Sequence, residues 1–252
     1  MPRPFVTLLT GIVTLTFLTT AQAQHSDLSP YVQDGQIHTG ALPEGAGAVL
    51  TQDVRVFGYD FDLAPADFGT DDPGYLEYGD LGTLAGLSYL PAGTRLAYVV
   101  LDDLLYWDGS DDVAFGAVPA GTQLAMSLGG NPRVVGDGTG VLPPRLFVIA
   151  PGDGSMHVHV SSELQAPGTP GFPGTPADGI YLLQLQLAAV DVDNNVLTNP
   201  LASLPFWVVY NNGLDENVHD AAIDWVQGNL APEPASLALL ALGGAALLRR
   251  RR

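Results

Sequence analysis

Along most of the middle of this chain, apolar residues fall at every second position, the spacing of strands that bury one face. In residues 180–190, Tyr181, Leu183, Leu185 and Leu187 share one side, while Gln184 and Gln186 lie on the other. Arg55, Phe57, Tyr59 and Phe61 alternate with Val56, Gly58 and Asp60. The same period places Leu96, Tyr98 and Val100 together, and Leu124, Met126 and Leu128 together. Residues 145–150 form a short apolar run, and 206–210 are aromatic and β-branched behind Pro205. Clusters such as Asp72-Pro73-Gly74, Pro91-Ala92-Gly93, Pro119-Ala120-Gly121 and Gly152-Asp153-Gly154 punctuate these runs as turns. The pattern predicts a mainly β fold, an antiparallel β-sandwich or jelly-roll-like single domain.

Two stretches break that period. Asp215 is a natural N-cap, and Val218, Ala221, Ala222, Trp225 and Val226 form the stripe of one amphipathic helix that Gly228 should end. In residues 167–179, Gly168, Gly171 and Gly174 recur at every third position beside Pro170, Pro173 and Pro176. Three triplets are too few for a collagen helix, so the stretch is expected to be a polyproline-like surface loop.

The two ends are apolar without alternation. Arg3 precedes an apolar run from Phe5 to Leu18, and Ala21-Gln22-Ala23 supplies a small-x-small cleavage pattern, so residues 1–23 are expected to be a signal peptide helix. At the other end, Pro232-Glu233-Pro234 leads into the run from Ala235 to Leu248, followed by Arg249, Arg250, Arg251 and Arg252. Those 14 residues reach roughly 21 Å as a helix, short of a hydrocarbon core of about 30 Å. The arginines act as a cytoplasmic stop. This suits a transient anchor that a processing enzyme removes. The tail resembles the PEP-CTERM sorting signal. The resemblance implies an exosortase as processing partner beside signal peptidase, passage through the inner membrane, and a Gram-negative host that makes exopolysaccharide. The domain plan is therefore a signal peptide (1–23), an acidic β domain (24–230) and a sorting segment with a hydrophobic helix (231–252).

Composition sharpens the picture of the middle. The chain carries a formal charge of −18 with no cysteine and no lysine. Between Gln24 and Ala231, four arginines face 26 acids, a formal charge of −22. Such a surface repels nucleic acid and attracts divalent cations. Without cysteine no disulfide staples the fold, and without Gly-x-Ser-x-Gly, a phosphate loop or a dinucleotide fingerprint, the common nucleophile and nucleotide enzymes have no foothold.

The candidate chemistry is Met156-His157-Val158-His159-Val160. In a strand both imidazoles point the same way, and two so placed chelate Zn²⁺, Cu²⁺ or Mn²⁺ once a third ligand joins. His25 with Asp27, or His219 with Asp220, are the candidates for that ligand. Asp191-Val192-Asp193-Asn194-Asn195 starts like a calcium loop, but Val196 and Ala202 stand where an EF-hand needs glycine and glutamate. Asp108-Gly109-Ser110-Asp111-Asp112 is a second oxygen-rich turn. No motif demands a cofactor; zinc or calcium is the divalent metal to consider.

The middle also resembles a group of exported PEP-CTERM proteins with no established activity. The matching stretches are His25-Ser26-Asp27 with Asp34-Gly35-Gln36, then His157-Val158-His159, residues 177–183, and Asn211-Asn212-Gly213 through Trp225-Val226. Certain cell-wall-anchored surface domains likewise pair an N-terminal His-x-Asp with a later His-x-His. Together these features predict a non-enzymatic cell-surface or exopolysaccharide-matrix protein. The alternatives are a metal-binding module at His157 and His159, extending to a metalloenzyme, and a carbohydrate-binding module, which needs exposed aromatics on a sheet face; Trp107, Trp207 and Tyr181 suit that role or the core equally.

Overall fold

The computed structural model describes residues 26–43, 48–61, 68–128, 132–169 and 172–231. The expected signal peptide with Ala21 and Ala23, His25, and the sorting segment from Pro232 to Arg252 lie outside them. No described helix is long and apolar enough to cross a membrane.

Over the described residues the chain is mainly β, with one α-helix near their C-terminal end, as the periodicity predicts. Its strands form three sheets. The first holds β1 (Ser26–Gln33), β2 (Gln36–Pro43), β5 (Gly74–Leu76), β6 (Leu87–Ser88) and β13 (His157–His159), in the order β13-β5-β1-β2 with β6 beside β1. The second holds β4 (Gly69–Thr70), β10 (Gln123–Ser127), β11 (Arg133–Gly136), β14 (Ser161–Thr169) and β15 (Phe172–Gly174). The third runs β12 (Leu142–Ile149), β7 (Arg95–Val100), β16 (Gly179–Val190), β17 (Phe206–Asn212), β3 (Val56–Asp60), with β8 (Leu105–Trp107) and β9 (Gly116–Ala117) at its side.

Alternation sorts the third sheet into two faces. Tyr181, Leu183, Leu185 and Leu187 of β16, Phe206, Val208 and Tyr210 of β17, and Phe57 and Tyr59 of β3 enter one large core. That core also receives Leu28 and Tyr75 from the first sheet and Leu124 and Met126 from the second. The intervening residues Ile180, Leu182, Trp207, Val209 and Val56 face the other way and meet helix α1 (Glu216–Asn229).

Several expectations change. The sheets are mixed rather than wholly antiparallel, because β1 pairs with β5 and β3 with β17 in parallel. The expected loop over 167–179 is partly paired: β14 and β15 bond across Ala166 and Gly174. Leu128 is exposed because β10 ends at Ser127. On α1 the buried side chains are His219, Ala222, Ile223 and Val226, while Ala221 points outward. The rest of the stripe holds, with Val218 and Trp225 packed beside Ala222 and Val226, and Ile223 joins it because β3 carries Gly58 beneath it: a Cβ there would lie 2.4 Å from Ile223 Cδ1. Burying Ile223 and Val226 in that trough contributes roughly 1.5–3 kcal/mol each. Gly228 lies within the helix, which ends at Asn229 with Leu230 as its C-cap. Asp215 caps by position only, its side chain making no cap hydrogen bond. Asn211 instead fastens the approach: its Oδ1 accepts from the Leu214 amide at 3.1 Å, and its Nδ2 donates to the Leu214 carbonyl at 2.9 Å.

Candidate metal centre

His157 and His159 lie on β13, the outermost strand of the first sheet, and their rings leave on the side opposite the buried Met156 and Val160. Register brings them a partner. β13 pairs with β5 so that His159 faces Gly74, and β5 pairs with β1 so that Tyr75 faces Leu28. The residue before Leu28 is Asp27, which therefore lies on the same face, two strands from His159. Strands sit about 4.8 Å apart, so a side chain on the middle strand would normally separate such residues. Here that position is Gly74. A Cβ on it would lie 2.0 Å from Asp27 Oδ1 and 2.8 Å from His159 Cε1. The missing side chain is the gap through which the carboxylate and the imidazoles meet.

The three side chains converge. His159 Nε2 stands 2.9 Å from His157 Nε2, and His157 Nε2 stands 3.7 Å from Asp27 Oδ2. His159 Nδ1 donates to the Asp71 carbonyl at 3.0 Å. A carbonyl only accepts, so this bond selects the tautomer whose Nε2 lone pair faces His157, the arrangement that orients a metal-ligating histidine. Ligand atoms on a tetrahedral zinc stand about 3.3 Å apart. The observed separations bracket that value, and shifts of a few tenths of an ångström in two surface rings would equalise them. Asp27 is almost buried at 7% side-chain exposure, whereas His157 at 52% and His159 at 35% stay open to solvent. The set is a half-open trio of two nitrogens and one oxygen that solvent reaches from the imidazole side.

The remaining candidates go elsewhere. His219 is no third ligand for this pair: it is buried between α1 and the third sheet, with Nε2 3.0 Å from the Val209 carbonyl. His38 bonds Asp53 through Nδ1 at 2.8 Å and stacks on Tyr31. Asp191 accepts from the Asp193 and Asn195 amides and from the Asn195 side chain, and Asp108 accepts from the Ser110 amide and hydroxyl. These bonds, with the Asn195 and Ser110 side chains foremost, hold both carboxyls below their usual range. Among the described residues, neither turn joins a group of three histidine or carboxylate ligands. Trp107, Trp207 and Tyr181 are buried, so they offer no exposed platform for a sugar.

Two of the three converging residues belong to the His-x-His motif, and Asp27 was legible only as the neighbour of His25. Gly74 was read as a turn residue. Nothing local marks it as a spacer, because its role depends on both flanking strands.

A family profile for the PEP-CTERM protein-sorting motif matches residues 230–252. The chain carries a PEP-CTERM sorting signal. A PEP-CTERM protein is exported, anchored transiently in the membrane and processed by a membrane-embedded exosortase. No curated protein and no solved structure shows significant similarity to this chain.

Proposed function

We propose that this PEP-CTERM protein is a non-enzymatic surface or matrix protein whose β domain binds a first-row divalent transition cation through Asp27, His157 and His159. The observation that carries the reading is the convergence of two imidazole nitrogens and a buried carboxylate across the gap at Gly74. Two nitrogens and one carboxylate suit Zn²⁺ and its neighbours rather than Ca²⁺, which takes six to eight oxygens. The acidic surface concentrates cations near the site, and the solvent-facing imidazoles leave room for exchange with the surroundings. Delivery to the envelope surface would put this capacity where external metal is met.

Elemental analysis and equilibrium dialysis of the full-length chain against Zn²⁺ test the binding. Wild type should hold one more equivalent than the His157→Ala/His159→Ala variant. Equal metal in the two would end the proposal. The delivery half is read separately by fractionation: in cells lacking the exosortase, the tagged protein should stay with the membrane. Unchanged surface display in those cells would remove it.

A further inference from the structure

We propose that Asp60, Glu216 and His219 form a second divalent-cation site, one that fastens helix α1 to strand β3. This site shares no residue with the Asp27–His157–His159 trio and does not depend on it.

Glu216 and His219 are three residues apart on α1, so they share a helix face. Asp60 is the last residue of β3, level with Asn211 of β17. His219 is 1% exposed. Its Nε2 donates to the Val209 carbonyl at 3.0 Å, which leaves the lone pair on Nδ1. That Nδ1 is buried and has no hydrogen-bond partner among the described residues. It points between Asp60 Oδ1 at 4.0 Å and Glu216 Oε2 at 3.9 Å. An unmet buried acceptor is destabilising, so its persistence calls for a cause.

A proton does not supply one directly. Distances of 3.9 and 4.0 Å are too long for hydrogen bonds from an imidazolium to either carboxylate. They leave room for a cation between the groups: ligand atoms on a tetrahedral zinc stand about 3.3 Å apart, so the carboxylates, Glu216 foremost, would close on Nδ1 by several tenths of an ångström on binding. The surroundings are prepared for it. Asn211 Nδ2 donates to Asp60 Oδ1 at 2.8 Å and holds that carboxylate in place. Gly58 leaves room for the ring: a Cβ there would lie 3.2 Å from His219 Cε1 and Nε2. Glu216 is half exposed and free to swing inward, and water can complete the shell from its side. One nitrogen with two carboxylates takes Zn²⁺ or Mn²⁺. The helix so fastened is the element that directly precedes the sorting segment.

The test uses the full-length His157→Ala/His159→Ala chain, in which the first trio is gone, dialysed against Zn²⁺ alone and Mn²⁺ alone. One equivalent of either metal should remain bound, and it should raise the thermal midpoint. Adding Glu216→Gln, a change at a half-exposed side chain, should weaken that binding by at least 10-fold, since even residues behind the ligands are worth about 10–100-fold. The thermal shift should vanish with it. Failure of the double-histidine chain to bind either metal would overturn the proposal, as would equal affinity with and without Glu216→Gln. Neither result bears on the first site, which is read from the difference between wild type and the double-histidine chain.

Discussion

Two histidine clusters in one acidic domain are built in opposite ways. The Asp27–His157–His159 trio is assembled by strand register on an outer face, and its rings stay open to solvent. The Asp60–Glu216–His219 trio is assembled by helix packing, and its imidazole is sealed between layers. Both depend on a glycine that lacks a side chain where two elements must approach, Gly74 in the first and Gly58 in the second. The contrast teaches that imidazole and carboxylate can be gathered either on an open face, which suits exchange with solvent, or against the core, which suits cohesion.

That contrast is broken most directly by truncating the histidines. His219→Ala empties a core position and should cost about 2–4 kcal/mol of stability, read by denaturant unfolding with Trp225 on α1 as a fluorescence probe. His157→Ala/His159→Ala should change stability by no more than about 0.5 kcal/mol, because it alters an open surface. It should instead remove one bound equivalent of Zn²⁺. Comparable stability losses in the two variants would erase the distinction.

The glycines give the next largest effects. Gly58→Ala should push Ile223 and His219 outward at a cost of about 1–3 kcal/mol. Gly74→Ala should lower Zn²⁺ affinity at the first trio by about 10-fold or more without touching any ligand, since it displaces Asp27 and His159. Dialysis of each variant separates the two outcomes. Asn211→Ala follows, at about 1 kcal/mol, because it strands the part-buried Leu214 backbone groups and releases Asp60.

The smallest effect separates proton from metal. Glu77 is 1% exposed, and burial raises its carboxyl above the usual range, with the Leu90 and Gly154 amides pulling the other way. A carboxyl raised on folding favours the folded state fully below its unfolded value, and that contribution is lost as pH rises through the folded value. Stability should therefore rise modestly as pH falls from neutral towards the ordinary glutamate range. Glu77→Gln should flatten that rise. At the two trios acid should act the other way on metal binding, since protons compete for imidazole nitrogen and carboxylate oxygen. An unchanged stability profile in Glu77→Gln would assign the rise to another group.

Much of the fold could be read from local pattern. The period-two runs around Phe57, Tyr98, Leu124 and Tyr181 are strands whose alternating residues enter or pack against the core, Leu128 excepted, and the aromatic, β-branched run around Val208 is a strand as well, because alternation reports which face is buried wherever the strand sits. The Asp34-Gly35 turn, with φ of 51° and 78°, closes the β1–β2 hairpin; its two residues are a local hairpin signal independent of alternation. The helix and most of its stripe are local signals too, since Ala222 and Val226 are buried and Val218 and Trp225 pack beside them; His219 and Ile223 join in place of Ala221 because the trough that receives Ile223 belongs to β3, far away in the chain.

The chain's order of residues alone determined the sorting tail, the acidic surface, the β class and the pairing of His157 with His159, because each is local or compositional. Tertiary structure decided the parallel strand pairs, the partnership of Asp27 with the histidines, and the placing of Asp60 against Glu216 and His219. These depend on which strands become neighbours and on glycines whose value lies in what they leave vacant. No local pattern encodes a gap that exists only between elements distant in the chain.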